Sequence, residues 1–106
     1  MLVVAQGRRI VIGCLQLGHA NILSMPGELF VEYQLAAQEM VTNDKEVMMA
    51  AYGDYGPGYI GTEASYSYGP LCYETAQGPP PRGTSRVAST TQHVLMTAMQ
   101  RLLTAR

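Results

Sequence analysis

Two apolar runs in this sequence end on residues with special backbone demands, and those endings limit what the chain can fold into. The run from His19 to Met25 (HANILSM) stops at Pro26-Gly27 and is followed by Glu28; the run from Glu46 to Tyr52 (EVMMAAY) stops at Gly53 and opens onto DYGPGYIGT. Proline removes a backbone donor and pushes the residue before it toward extended geometry, while glycine admits conformations closed to other residues. Short apolar runs bounded in this way read as strands. Glu28 and Tyr59 stand just past the two endings, and each carries an oxygen able to hold a metal or handle a proton.

The remaining elements follow from the same logic. Arg8 to Leu15 (RRIVIGCL) predicts a strand, and Gln16-Leu17-Gly18 a tight connection to the strand from His19 to Met25, so the two form a β-hairpin. Glu28 to Met40 predicts a helix with Phe30, Tyr33, Ala37 and Met40 on one face and Glu32, Gln38 and Glu39 off it. Glu28 then falls in the first turn, where free N–H groups and the helix dipole favour a negative charge. The continuous apolar run from Glu46 to Tyr52 suits a strand buried on both faces of a parallel or mixed sheet. Residues 53 to 81 hold most of the glycines and tyrosines and every proline except Pro26. That is far longer than an ordinary connection of about 4–6 residues. Its tyrosines predict order from Tyr52 to Glu74, with a flexible or polyproline turn from Gln77 to Gly83. Thr84 or Ser85 caps a last helix running to Thr104, with Val87, Thr91, Val94, Leu95, Ala98, Leu102 and Leu103 along its apolar stripe. The expected class is α/β: β-hairpin, helix, buried strand, long Tyr/Gly-rich loop and C-terminal helix, as part of a larger α/β domain.

Composition sharpens the last point. Of 106 residues, 47% are hydrophobic and only 14% charged, against roughly 25% charged in a typical soluble domain. Either missing upstream chain or a partner, such as a second copy, covers part of the surface, or this is a small Gly- and Tyr-rich domain. A net charge of −1 without a basic block argues against nucleic acid. No apolar run approaches the roughly 20 residues that span a bilayer. The amino terminus places its apolar residues before Arg8 and Arg9, the reverse of a signal peptide; the compartment stays open. Cys14 and Cys72 make no disulfide framework, and Cys14 reads as a small buried hydrophobe.

In order along the chain stand Pro26-Gly27-Glu28, the strand Val47 to Tyr52, Tyr59-Ile60-Gly61-Thr62, and Tyr73-Glu74. Together they resemble the carboxyl-terminal part of the catalytic domain of neutral (non-lysosomal) ceramidases, over roughly Arg8 to Glu74. In that family a strand enters a Pro-Gly-Glu turn, and a later strand leads to a Tyr-Ile-Thr-Thr-like segment. The resemblance implies that Glu28 and Tyr59 are zinc ligands, Tyr59 as a weak ligand or an oxyanion stabiliser, in an amide hydrolase acting on a ceramide-like lipid. Two departures stand out: Leu29-Phe30-Val31 replaces the family's Phe-Thr-Thr-like segment, and Gly61 replaces its first threonine. The family's zinc-binding histidines have no counterpart, so zinc is expected only in an intact domain and the isolated chain is expected to be inactive.

Each site residue also has a plainer reading. Glu28 is either a ligand or a helix-start carboxylate, and Tyr59 either a ligand or an aromatic packed on the sheet. Asp54 and Thr62 could orient a ligand or water from behind, though an Asx-turn before Tyr55-Gly56-Pro57 ranks ahead for Asp54. His19 reads as a surface turn residue and His93 as a helix-surface residue. No Ser–His–Asp arrangement, phosphate loop or dinucleotide fingerprint is present. The competing function is a small non-catalytic α/β module that binds a partner through its Tyr-rich loop.

Overall fold

A computed structural model describes residues 2–5, 8–53, 58–67 and 90–104. The expected α/β class is what it shows: seven short strands in three small sheets, with three helices. The expectations for Asp54, Tyr55, Tyr68, Cys72, Tyr73, Glu74, the 77–83 turn and the Thr84/Ser85 cap fall outside the described residues.

The first strands are β1 (Leu2–Ala5) and β2 (Arg8–Val11), an antiparallel pair, followed by β3 (Gly13–Leu17) and β4 (Ala20–Ser24). The single strand expected over Arg8 to Leu15 is thus interrupted at Ile12, whose side chain is fully buried. β3 and β4 form the expected hairpin, with its turn one residue later than the sequence suggested: Leu17 pairs with Ala20 across Gly18-His19. Of those two residues only Gly18 has positive φ, +61°, the pattern of a two-residue turn whose twist matches its strands.

β6 (Glu46–Ala50) joins β4 in parallel, Ala20 opposite Glu46 and Ser24 opposite Ala50, giving a mixed β3-β4-β6 sheet. Between β4 and β6 the chain makes β5 (Glu28–Leu29) and helix α1 (Val31–Glu39). Tyr33 and Ala37 of α1 are fully buried, and Phe30 and Met40 pack on the same core, as their helical spacing predicts. The core gathers Leu23, Met25, Val47 and Ile60 beneath Leu95, Ala98, Met99 and Leu103 of α3 (Thr91–Thr104). The stripe of α3 is therefore rotated from expectation. The buried set advances by three and four residues from Leu95, which brings Met99 in and leaves Val94 exposed.

β6 also differs from expectation. It stops at Ala50 and is an edge strand buried on one face: Val47 is inside, while Met48 is 51% exposed. Its apolar run reads as buried on both faces only because a run carries no information about which neighbours exist. Register puts Met48 on the same face as Ile22 and Leu15. Leu15 and Leu17 are exposed there, while the core face carries Leu23 and Val47. Gln34 of α1 donates through Nε2 to the Val47 carbonyl at 2.8 Å, fixing the helix over β6.

Candidate functional site

The parallel β4–β6 pair has two ends, and the sequence separates their chemistry. At the amino-terminal end His19 lies 3.9 Å from Glu46, both side chains mostly exposed. A shallow groove of about 360 Å³ nearby is lined by Gln38, Lys45, Glu46 and Met48. β4 is five residues long, so roughly 15 Å of strand separates His19 from the far end at about 3.3 Å per residue. His19 is thus a surface turn residue, as its position beside Gly18 suggested.

At the carboxyl-terminal end the backbone is tied down. The Met25 N–H donates to the Ala50 carbonyl at 2.9 Å, the Gly53 N–H to the Met25 carbonyl at 2.8 Å, and the Tyr52 N–H to the Gly27 carbonyl at 3.0 Å. These bonds seat Pro26-Gly27, both buried, against the end of β6. A side chain at Gly53 would crowd its neighbours: a Cβ there would stand 2.5 Å from Ser24 Oγ, which would have to turn away, and 3.2 Å from the Met25 carbonyl oxygen.

Beyond this turn the chain does not enter a helix at Glu28, and that corrects the sequence expectation. Glu28 is the first residue of β5, and α1 starts only at Val31 with Phe30 as an extended N-cap. The cause lies thirty residues away. β7 (Tyr59–Ile60) runs parallel to β5, the Glu28 N–H donating to Gly58 and the Phe30 N–H to Ile60, at 2.9 and 3.0 Å. These long-range bonds satisfy the donors that a helix start would have left free.

The pairing register is Glu28 opposite Tyr59 and Leu29 opposite Ile60. Directly paired residues share a face of the ladder, and successive residues alternate faces. Ile60 is buried in the core with Leu29 packed against it, so Glu28 and Tyr59 share the face turned away from the core. Both are preceded by a left-handed glycine, Gly27 at φ +63° and Gly58 at φ +88°, conformations in which a Cβ is strained.

A third side chain joins Glu28 here, one that the sequence marks only as the end of an apolar run. Tyr52 donates its hydroxyl to Glu28 Oε2 at 2.8 Å. That bond, with smaller contributions from desolvation and the charges of Glu28 and Tyr59, holds the Tyr52 phenol above its ordinary range. The local signal was the Ala51-Tyr52-Gly53 strand ending, but nothing in the sequence marks a left-handed tyrosine.

The other expected contributors have separate work. Thr62 Oγ1 accepts from the Ser65 N–H at 3.2 Å and its carbonyl accepts from the same N–H at 3.0 Å, which caps the short helix α2 (Glu63–Ser67). Gly61 is gripped from two sides. Tyr33 Oη donates to its carbonyl at 2.8 Å, and its N–H donates to Tyr66 Oη at 3.3 Å. Cys14 is free and half-buried against the core, its thiol pushed up by burial. His93 is exposed on α3.

Among the described residues, no three His, Cys, Asp or Glu side chains converge as a metal-binding group, and no helix is long and apolar enough to cross a membrane. The Glu28 carboxylate accepts from the Tyr52 phenol just past the carboxyl ends of β4 and β6, with Tyr59 opposite it in the β5–β7 register; open α/β sheets commonly bind ligands beyond such strand ends. No protein-family profile, curated protein or solved structure matches this chain.

Proposed function

We propose that this chain carries the carboxylate-and-phenol side of a zinc-dependent amide hydrolase site of neutral-ceramidase type, with Glu28 and Tyr59 as ligands. The observation that carries the reading is the β5–β7 register, which pairs Glu28 with Tyr59 on the face turned from the core. A catalytic zinc takes three protein ligands and leaves one position for water. The two oxygens suit part of that set, and the remaining ligands would be histidines supplied from outside this sequence, whose own two are His19 and His93. Zinc bound there would supply an activated water and polarise the substrate's amide carbonyl. Glu28 contributes an anionic oxygen, and Tyr59 a phenol able to stabilise developing negative charge on the carbonyl oxygen. A ceramide-like lipid amide is the substrate this reading names.

The test is zinc content and hydrolysis of a fluorogenic ceramide by the protein purified from its native host, with and without Glu28→Ala. Loss of stoichiometric zinc and of hydrolysis together is the expected result; equal zinc in both proteins ends this reading.

One observation favours a second reading. Leu15, Leu17 and Met48 are more than half exposed, whereas sheets with parallel strands are usually covered on both faces. That suits a non-catalytic module whose partner lies on the sheet. It predicts a folded, metal-free chain that no zinc stabilises.

A further inference from the structure

We propose that β3 is a docking edge for a second copy of this chain: two β3 strands pair antiparallel about a two-fold axis at Leu15, joining two β3-β4-β6 sheets edge to edge. Such a dimer is independent of the metal ligands proposed above.

Main-chain groups of successive strand residues point to alternate sides. For β4 the sides follow from its flanks. The Glu46 N–H donates to the His19 carbonyl and the Met25 N–H to the Ala50 carbonyl, each at 2.9 Å. Odd-numbered residues of β4 therefore turn toward β6. Ala20, Ile22 and Ser24 turn toward β3, where they meet Leu17, Leu15 and Gly13. The N–H and C=O groups of Cys14 and Gln16 are left pointing to the outer edge, and no described residue bonds them.

The opposite edge of the sheet is guarded. By the same alternation Val47 of β6 points outward, and Gln34 Nε2 donates to its carbonyl at 2.8 Å. β3 lacks such a guard. Its sequence, GCLQL, holds no proline and no charge, the residues that commonly keep exposed edges apart. Helix α3 does not shield it throughout: Cys14 is half-buried but Gln16, on the same face, is exposed, so the cover thins toward the turn.

The edge also fits itself. With the axis on Leu15, Cys14 stands opposite Gln16 of the second copy, and each such pair exchanges both main-chain hydrogen bonds. Leu15 meets Leu15 as a non-bonded pair, the arrangement in which side chains stand closest. Leu17 lies opposite Gly13, where a Cβ would meet nothing within 4 Å, so the leucine has room. Leu15 and Leu17 are 56% and 59% exposed in the single chain. The same patch serves both copies, and the guarded β6 edge stops growth there. An edge of five residues buries less than about 1,200 Å², so the dimer is weak and reversible.

The test is sedimentation equilibrium of the full chain from about 10 μM to 1 mM, with amide hydrogen exchange followed by NMR at both ends of that range. A dissociation constant within the range is expected. The Cys14 and Gln16 amides should be protected only at the high end, and the Leu15 amide, bonded to β4, at both. Leu15→Lys sets like charges together on the axis and should weaken association about tenfold. Mixing it with Leu15→Glu should restore association, because only a residue on the axis faces its own copy. Gln16→Pro removes an outward N–H and leaves the β4 ladder intact, so it should abolish the dimer and keep the fold. A folded monomer across the whole range overturns the proposal. So does a dimer that survives Gln16→Pro, or one in which the Cys14 and Gln16 amides exchange alike at both concentrations. Charge variants that associate no better mixed than alone overturn the register at Leu15.

Discussion

The two ends of the parallel β4–β6 pair are built from the same strands and differ in almost every other respect. The amino-terminal end has a hairpin turn, a distant His19–Glu46 contact and open surface. The carboxyl-terminal end has three left-handed residues, Gly27, Tyr52 and Gly58, cross-braced backbone, and a carboxylate held by a phenol. Strained backbone persists only where surrounding bonds over-determine it. The contrast teaches that charge and exposure alone are poor guides to a site: Glu46 and Glu28 are both exposed acids at a sheet end with hydrogen-bonded backbone, and of the two only Glu28 has a carboxylate that accepts a described side-chain hydrogen bond.

The contrast can be broken most forcefully at Gly53. Valine there would drive its Cβ into Ser24 Oγ and the Met25 backbone. Overpacking of this kind costs about 1–3 kcal/mol, which denaturant unfolding of Gly53→Val would show as a lower midpoint with unchanged slope. An unaffected midpoint would mean that the carboxyl-terminal end is looser than its contacts imply.

A smaller effect is expected at Tyr33, which braces β7 from below through Gly61. Tyr33→Phe leaves a buried carbonyl unpaired, at about 1–2 kcal/mol. The pH dependence sharpens this. Burial foremost, then Tyr66 and Glu32, raise the Tyr33 phenol above its ordinary range. A group whose folded pKa is raised stabilises the fold fully below its unfolded pKa and loses that contribution as pH rises toward the folded value. Stability should therefore fall as pH climbs past about 10, the ordinary phenol value, and fall less steeply in Tyr33→Phe. Equal slopes in the two proteins would show that Tyr33 ionises as freely folded as unfolded.

The smallest effect belongs to the other end. His19→Ala removes one partner of a largely exposed pair at 3.9 Å, and such pairs contribute under about 1 kcal/mol. Its midpoint at neutral pH should shift by less than about 0.5 kcal/mol equivalent. A larger loss would make the amino-terminal end a structural anchor and remove the asymmetry.

Local chemistry written in the chain was enough for several elements. Gly18 marked the hairpin turn, and the spacing of Tyr33 and Ala37 marked the buried face of α1. Pro26-Gly27 and Gly53 marked the strand endings. Each signal acts within a few residues, through steric limits on φ or through the period of a helix, so it survives without knowledge of neighbours. What only the tertiary structure decided is everything that depends on pairing across the chain. Glu28 is extended rather than helical because Gly58 and Ile60 take its neighbouring donors. β6 is buried on one face because only one face of the β3-β4-β6 sheet meets the core, and Tyr52 meets Glu28 because parallel register aligns two turns twenty-four residues apart. Hydrogen bonds between distant segments leave no periodic trace in either segment, so the two strand endings could be named in advance while the hold of Tyr52 on Glu28 could not.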